Sequence, residues 1–387
     1  MTRRVVATGI GVTTCLGAGR GSLVEAIAEA RSGISDVTLF PTARYKAHIG
    51  GEIKHMPIQD GNRVKTFLSY VVNEALQDAG ITGPLGDLEL FVGTIHGSLD
   101  IWEEWYGSRG NAPCDVDAIP PWRLHEGLFD NVAERVHLHS VSSTCTSSSA
   151  AAALAVQSIT AGRTGLAVVA GVEALTSFVY GGFNSLNALS PTACRPFDRG
   201  RDGLVLGEGA AALVLEDLEA ARRRGADLYG ELAGLAMTTD GKHLTAPDPA
   251  GTGLARCIGL ALKNARVEPE SVDYLNMHGV GTVPSDRMEC VAVRRVFREA
   301  VSRIPMSSIK PMIGQTNGAG GAIDAAASLL CIKHGRIPAT LHHLEPEPEF
   351  KGFDFVSREP RQKKMKTVVS INNAFCGGNT ALVFRSV

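Results

Sequence analysis

The chain has 387 residues, a formal net charge of −2 and a composition that is 44% hydrophobic and 20% charged. This length suits two domains, and a chain of this size buries most of its apolar surface without needing disulfides or structural metals. The near-neutral charge and the lack of a long basic run argue against nucleic acid as a partner. No stretch reaches the roughly 20 apolar residues of a membrane span, so we expect a soluble protein with no membrane partner.

Eight cysteines are scattered along the chain, with no CxxC pair and no cysteine–histidine cluster at zinc-ligand spacing. They are Cys15, Cys114, Cys145, Cys194, Cys257, Cys290, Cys331 and Cys376. Scattered thiols in a chain of this length are typical of a reduced, cytoplasmic compartment. The glycine-rich turns lack the spacing of nucleotide-binding motifs, so we expect no metal and no permanently bound cofactor.

In chain order, short apolar runs rich in β-branched residues alternate with helical patterns. The predicted strands cover residues 5–10, 88–95, 166–172, 210–215, 229–237, 368–371 and 381–384, with further strands ahead of Cys145 and His278. The predicted helices cover residues 64–79, 146–161, 216–225 and 320–334. The segment 98–135, rich in Trp, Pro and Gly, is predicted to be irregular.

This alternation predicts an α/β protein with a mostly parallel sheet. The helix at 146–161 consists almost wholly of small residues and is apolar nearly all round, so we expect it to be buried between sheets. That position favours a layered α/β/α/β/α arrangement. A new strand after the charged helix at 216–225 places a boundary near Tyr229, which divides the chain into halves at 1–228 and 229–387.

Cys145 lies where a predicted strand meets the small-residue helix, in the run Ser142-Ser-Thr-Cys-Thr-Ser-Ser-Ser. Unpaired N–H groups and the dipole of a helix N-terminus stabilise a thiolate. This position therefore predicts a thiol with a depressed pKa that attacks carbonyl carbons. The alternative is a structural cysteine that packs as a small hydrophobe inside a serine-rich helix cap.

A thiol nucleophile requires a group that moves its proton and a group that stabilises the developing oxyanion. Candidates occur at two strand ends in the second half. His278 ends an apolar strand and precedes a glycine-rich turn, whereas Lys310 and Gln315 precede the glycine-rich start of a helix. Alone, each is more often a structural or surface residue. Their combination with Cys145 indicates catalysis.

Several blocks, in the right order, make the chain resemble the β-ketoacyl-ACP synthases of the thiolase superfamily, of the fatty-acid and type II polyketide kind. They are Arg3-Arg-Val-Val-Ala-Thr-Gly-Ile-Gly, Ala188-Leu-Ser, Arg195-Pro-Phe-Asp-Arg-Gly-Arg-Asp-Gly-Leu-Val-Leu-Gly-Glu-Gly-Ala and Phe375-Cys-Gly-Gly-Asn. The resemblance runs nearly end to end. It implies a thiolase-like five-layer α/β/α/β/α fold made of two fused, pseudo-duplicate halves. It also implies a dimer, either of identical chains or with a related subunit.

The resemblance implies catalytic roles at four positions. Cys145 would carry the acyl group as a thioester. His278 matches the first catalytic histidine and Lys310 the active-site lysine, while Gln315 stands where the family has its second histidine. The acyl and malonyl groups would arrive as thioesters on the phosphopantetheine arm of an acyl carrier protein (ACP).

Further positions match supporting residues. Asp286 and Glu289 match acidic residues after the glycine-rich turn, and Asp324 stands where the family has Glu. Phe375 matches the phenylalanine that gates the acyl pocket, and it is followed by Cys376 at a position that the family gives to Gly.

The turn after His278 also departs from the family pattern. Thr282 matches a pantetheine-binding threonine, but Val280 replaces another threonine of the same turn and offers no hydroxyl. Together with Gln315, whose amide can donate a hydrogen bond but cannot titrate, this change concentrates the departures on the malonyl side of the site.

Three functions follow from this pattern. The first is a β-ketoacyl synthase of a specialised polyketide or lipid pathway that condenses an acyl group with malonyl-ACP. The second is an acyltransferase on the same scaffold, which would pass the acyl group from Cys145 to another nucleophile without decarboxylation; Gln315 and Val280 favour it. The third is a partner subunit that acts as a chain-length factor, against which the retained Cys145, His278 and Lys310 argue.

Overall fold

The computed structural model describes residues 3–59, 61–111 and 120–387. In this part of the chain the strands are β1 (Val5–Thr14), β2 (Gly17–Ala18), β3 (Ser35–Asp36), β4 (Ile49–Gly50), β5 (Leu85–Gly93), β6 (Ala133–Val141), β7 (Leu166–Glu173), β8 (Gly209–Asp217), β9 (Gly230–Thr239), β10 (Tyr274–Asn276), β11 (Met306–Ser307), β12 (Arg336–Ile337), β13 (Arg361–Gln362), β14 (Thr367–Asn373) and β15 (Gly378–Arg385). The helices are α1 (Gly19–Glu29), α2 (Arg63–Asp78), α3 (Leu99–Gly107), α4 (Ser147–Thr160), α5 (Ser177–Ser185), α6 (Leu218–Arg223), α7 (Thr252–Ala265), α8 (Val283–Phe297), α9 (Lys310–Ile313) and α10 (Gly320–His334).

Ten strands of the large sheet form two groups of five that share one topology. The first group has the order β6-β5-β7-β8-β1 and the second has the order β11-β10-β14-β15-β9. If the five strands of each group are numbered along the chain, both groups have the spatial order third, second, fourth, fifth, first. The strands β2, β3, β4, β12 and β13 belong to neither group. The two groups meet where β1 pairs with β9 through Val6–Glu231 and Ala7–Gly230. This repeated order agrees with the expectation of pseudo-duplicate halves.

The prediction of a mostly parallel sheet was wrong, because the sheet is mixed. In each half the second strand pairs in parallel with both of its neighbours, as β5 does with β6 and β7. The fifth strand is antiparallel to the strands on either side of it, as β8 is to β7 and β1. In the second half, only four residues separate β14 from β15. A connection that short joins antiparallel strands, since a parallel crossover needs a dozen or more residues.

The helices form three layers around the two groups of strands, which gives the predicted five-layer order. Helix α2 covers the outer face of the first group and α7 the outer face of the second, whereas α4 and α10 pack against each other and against both groups. Every residue of α10 from Gly320 to Cys331 is buried, and the predicted bounds of this helix match the structure.

Two local predictions require correction. The helix placed at 216–225 begins only at Leu218, because Glu216 and Asp217 belong to β8, where the buried Glu216 carboxylate pairs with Arg224. The segment 98–135 is not irregular throughout, since it contains α3 and the start of β6; its residues 112–119 lie outside the described residues. Among the residues that the structure describes, no helix is long and apolar enough to cross a membrane.

Candidate active site

Cys145 follows β6 by four residues and stands two residues ahead of α4. The residue before it, Thr144, adopts a φ of 48°, a left-handed conformation that is costly for a β-branched residue. Strand β5 passes directly against the first turn of α4, where a Cβ on Gly93 would come within 2.3 Å of the Ser148 backbone. The predicted strand–turn–helix placement of the thiol is therefore present, and it depends on a strained turn and a close backbone approach.

A cavity of about 460 Å³ opens beside the Cys145 thiol. It is lined by residues from both halves, and the predicted site residues among them are Cys145, His278, Val280, Thr282, Gln315 and Phe375. The other predicted residues, Lys310, Asp286, Glu289 and Asp324, are buried and do not line the cavity. The structure thus brings six of the ten predicted residues to one cavity, and the other four are buried outside its lining.

The prediction of a depressed pKa at Cys145 was wrong. Burial raises the pKa of the Cys145 thiol to about 11; interaction with the Gln315 side chain opposes this rise, the Glu173 carboxylate adds to it and the Lys310 charge opposes it. The loss of hydration destabilises the thiolate more than the surrounding polar groups stabilise it. Cys145 is therefore a protonated thiol at neutral pH, and it would act as a nucleophile only after its proton is taken away.

His278 is buried on the cavity wall as a neutral imidazole. Burial, with a further contribution from the Lys310 charge, holds the pKa of His278 well below its usual range. Its Nδ1 atom is buried and has no hydrogen-bond partner among the described residues. A neutral ring with an unpaired nitrogen is chemically suited to accept a proton or to donate a hydrogen bond, depending on its tautomer.

Glu289 and Asp286, both on α8, bind the backbone of the turn that follows His278. The Glu289 carboxylate accepts hydrogen bonds from the N–H groups of His278 (2.6 Å) and Gly279 (2.9 Å), and burial raises the pKa of Glu289 to about 8. Asp286 accepts from Gly281 N–H at 3.2 Å and lies 3.5 Å from the guanidinium of Arg201, while burial raises its pKa to about 6. These two side chains hold the turn in place and do not line the cavity.

Lys310 forms a buried ion pair with Asp324. The Lys310 Nζ atom lies 2.7 and 3.0 Å from the two carboxylate oxygens, and both side chains are buried. Asn372 donates a further hydrogen bond to Asp324 Oδ2 at 2.7 Å and accepts one from Ser149 of α4 at 3.0 Å. This network ties α9, α10, β14 and α4 together behind the nucleophile.

Phe375 lies on the cavity wall in the connection between β14 and β15. Its ring stacks on Phe183 with centroids 5.7 Å apart, and its carbonyl accepts a hydrogen bond from the Thr144 hydroxyl at 3.1 Å. The next residue, Cys376, has a φ of 64°, and its N–H donates to the Leu244 carbonyl at 2.6 Å. The connection is thus fastened both to the nucleophile turn and to the loop that forms the opposite wall.

The block from Arg195 to Glu208 contacts the cavity near its middle and other segments of the first half at its end. Asp202 and Gly203 line the cavity. Glu208 is buried, accepts hydrogen bonds from the N–H groups of Ile53 (2.8 Å) and Leu175 (2.9 Å), and pairs with Arg63. This block therefore orders three separate segments around one carboxylate.

Sequence reasoning missed four polar residues of the cavity wall, which are Asn187, Thr245, Ser285 and Asn373. Asn373 stands two residues ahead of the family block that begins at Phe375, which was the available signal. Ser285 stands three residues after Thr282 and carried no signal of its own in the sequence.

A cysteine at the N-terminus of a buried helix, within two halves of one repeated topology, is the arrangement of a condensing enzyme of the thiolase-like class. The N-terminal domain model of the beta-ketoacyl synthases matches residues 2–221, and the C-terminal domain model matches residues 229–344. The chain belongs to the beta-ketoacyl synthase family. The predictions of family, fold class and enzyme class are confirmed.

Relatives in this family include the ketoacyl synthase alpha subunit of the tetracenomycin polyketide synthase from Streptomyces glaucescens, 34% identical over 98% of this chain and 96% of the relative. The ishigamide ketosynthase/chain length factor structure superposes with a TM-score of 0.91 at 29% identity, covering all of both chains. A type II polyketide synthase ACP in complex with its ketosynthase superposes with a TM-score of 0.87 at 27% identity, also over all of both chains.

Proposed function

We propose that this chain is a β-ketoacyl-ACP synthase that loads an acyl group on Cys145 and condenses it with malonyl-ACP. The observation that carries the proposal is the single cavity that brings Cys145, His278 and Gln315 together from the two halves, closed on one side by Phe375. The family relationship supports the reaction type, and the related ketosynthase seen with its ACP supports thioester substrates delivered by a carrier protein.

In the first half-reaction, the Cys145 sulfur attacks the carbonyl carbon of the acyl thioester. A new S–C bond forms, the bond to the pantetheine sulfur breaks, and the thiol proton of Cys145 ends on the departing pantetheine thiol. His278, neutral at physiological pH, is the group in the cavity suited to carry that proton. Gln315 supports the sulfur as negative charge develops, since its interaction lowers the pKa of the thiol.

In the second half-reaction, the C–C bond to the malonyl carboxylate breaks and CO₂ leaves. The electron pair stays on the remaining carbon as an enolate, which attacks the acyl carbonyl on Cys145. A new C–C bond forms and the Cys145 thiolate leaves. The turn with Val280 and Thr282 lines the cavity beside this centre and would hold the pantetheine arm, with the Thr282 hydroxyl as its hydrogen-bonding group.

The ion pair of Lys310 and Asp324 would act on this site from behind. Its members do not touch the cavity, and they connect the elements that carry Cys145 and Asn372. We assign them, with Asp286 and Glu289, a positioning role.

We also propose that the chain works as a dimer, with strand β6 at the interface. Strand β6 is the last strand of the sheet in the described part of the chain, and most of its side chains are exposed. An edge strand of this length offers unpaired backbone groups to a second subunit. A related ketosynthase of 29% identity is described with a chain length factor, which supports a related subunit as one choice of partner.

Incubation with a panel of acyl-ACPs and then with malonyl-ACP tests the proposal. We expect an acyl adduct on Cys145 by mass spectrometry, followed by CO₂ release and a product two carbons longer. Cys145→Ala is the control and should show no adduct. An adduct that persists with malonyl-ACP and transfers only to another nucleophile would instead identify the acyltransferase, and a Cys145 that takes up no acyl group would contradict both enzymatic functions.

A further inference from the structure

Three residues of the cavity wall carry buried polar atoms without a hydrogen-bond partner among the described residues. These atoms are His278 Nδ1, Gln315 Oε1 and Asn373 Nδ2. Buried polar groups in folded proteins are almost always paired. Three unpaired atoms around the one cavity that contains Cys145 are therefore available to bind polar groups of a substrate.

The Asn373 amide is held in a defined orientation. The Ser285 hydroxyl, in the first turn of α8, donates a hydrogen bond to Asn373 Oδ1 at 2.9 Å. With its oxygen on the Ser285 hydroxyl, the Asn373 amide directs its NH₂ group away from Ser285. Asn373 ends β14 and is 6% exposed, so two rigid elements determine its position.

The three atoms differ in what they offer a substrate. Gln315 Oε1 only accepts hydrogen bonds, and the neutral ring of His278 donates from one nitrogen only. The Gln315 side chain also interacts with the Cys145 thiol and stabilises its charged form. Asn373 Nδ2 is thus the only one of the three that donates in every protonation state and has no other task.

We propose that Asn373 donates a hydrogen bond to the thioester carbonyl oxygen of the malonyl acceptor and stabilises the enolate formed there. This inference rests on the proposed condensation. When the bond to the carboxylate breaks, the electron pair moves onto the carbonyl oxygen, and an aligned N–H group lowers the energy of that charge. After the enolate carbon attacks the acyl group, the charge moves to the Cys145 sulfur, which Gln315 supports. Two amides thereby stabilise the developing negative charge, Asn373 at the enolate oxygen and Gln315 at the Cys145 sulfur. The family has a second histidine at the position of Gln315.

Asn373→Leu tests the assignment, because leucine has a similar shape and no donor. We expect acylation of Cys145 from acyl-ACP to stay within about twofold of the unaltered protein, and CO₂ release from malonyl-ACP to fall by about 10²-fold, as for loss of an oxyanion donor. The loss should lie in kcat and not in KM, since the hydrogen bond strengthens in the enolate.

Ser285→Ala is the second variant, and it keeps the donor but removes its anchor. We expect a smaller fall in CO₂ release, about tenfold, again without loss of acylation. Asn62→Ala is the matched control, because Asn62 is a buried asparagine that caps α2 and does not line the cavity. It should lower the thermal unfolding temperature and leave the ratio of the two half-reactions unchanged.

The outcomes separate this inference from the function on which it rests. If the unaltered protein releases no CO₂ from malonyl-ACP, the proposed condensation fails first. If it does release CO₂, equal losses in both half-reactions of Asn373→Leu would make Asn373 a structural residue, and an unchanged condensation rate would remove it from the site. Should Asn373→Leu not fold, an unchanged kcat in Ser285→Ala would overturn the inference.

Discussion

Cys145 shows how burial outweighs local secondary structure at the scale of a residue. Its position at a helix N-terminus favours a thiolate, yet exclusion of water raises its pKa to about 11. The thiol therefore rests in its protonated form. In the proposed reaction its proton would have to leave, and the neutral His278 is the group in the cavity suited to take it.

The pH dependence of Cys145 alkylation follows from this pKa. With a small reagent such as iodoacetamide, we expect the rate at Cys145 to rise about tenfold per pH unit from about pH 7 to about pH 10, because the thiolate fraction rises in that proportion below the pKa. Peptide mass spectrometry assigns the adduct, with Cys145→Ala as the blank. A plateau below about pH 8 would mean that the helix N-terminus prevails over burial.

The buried ion pair gives a second prediction for single residues. Lys310→Met would leave the Asp324 carboxylate buried and uncompensated, and we expect a loss of about 3–5 kcal/mol in the free energy of unfolding. The double variant Lys310→Met/Asp324→Leu should recover much of that loss, because both charges are gone. Urea unfolding of both variants measures the difference, and equal stabilities of the single and double variants would contradict it.

The approach of β5 to α4 shows at the scale of elements how a strand can constrain the nucleophile. A Cβ at Gly93 would come within 2.3 Å of the Ser148 backbone, whereas a Cβ at Gly86 of the same strand meets nothing within 4 Å. Gly93→Ala must therefore move the first turn of α4, which begins two residues after Cys145, whereas Gly86→Ala need not move it.

We expect Gly93→Ala to lower the free energy of unfolding by about 1–3 kcal/mol and to slow acylation of Cys145 by more than about tenfold. Gly86→Ala should change the free energy of unfolding by no more than about 0.5 kcal/mol and leave the acylation rate unchanged. Chemical unfolding and mass spectrometry of the adduct check both. Equal behaviour of the two variants would show that α4 adjusts to the added methyl group.

The elements differ in how well their sequences predicted them. Helix α10 and the small-residue helix α4 were predicted correctly because their residues are small or apolar on nearly every face, which is typical of a buried helix. Helix α8 was not found, since Asp286 and Glu289 face inward toward backbone N–H groups and interrupt its apolar pattern. The prediction of a mostly parallel sheet failed at strands such as β8, because a strand buried on both faces has the same residue pattern whether it runs parallel or antiparallel to its neighbours.

The same limit applies to the candidate site. Cys145, His278 and Gln315 were found through strand ends and the family resemblance, and they do share one cavity. Ser285 and Asn373 escaped notice because their relevance lies in an orientation between two elements distant in sequence. Spacing along the chain carries no information on such a contact.

The two halves form one structural unit at the scale of the whole molecule. The largest hydrophobic core contains residues of both halves, from Val5 and Ala151 to Ile323 and Phe384. Helices α4 and α10 cover each other between the sheets, so each half alone would expose a broad apolar layer.

We therefore expect residues 229–387, produced alone, to lack a cooperative unfolding transition by circular dichroism. Co-expression with residues 1–228 should restore the transition and the acylation of Cys145, since the missing layer is then supplied. A folded, monomeric fragment 229–387 would contradict this expectation and would make the half an independent domain.

The mutual cover of α4 and α10 has a consequence for synthesis of the chain. The ribosome completes α10 about 170 residues after α4, which takes roughly 10–35 s at ordinary elongation rates. During that interval the helix that follows Cys145 has no permanent neighbour on one side. Exposed apolar surface on a nascent chain promotes association with other chains, so we expect the amount of folded protein obtained in a cell to rise with chaperone supply.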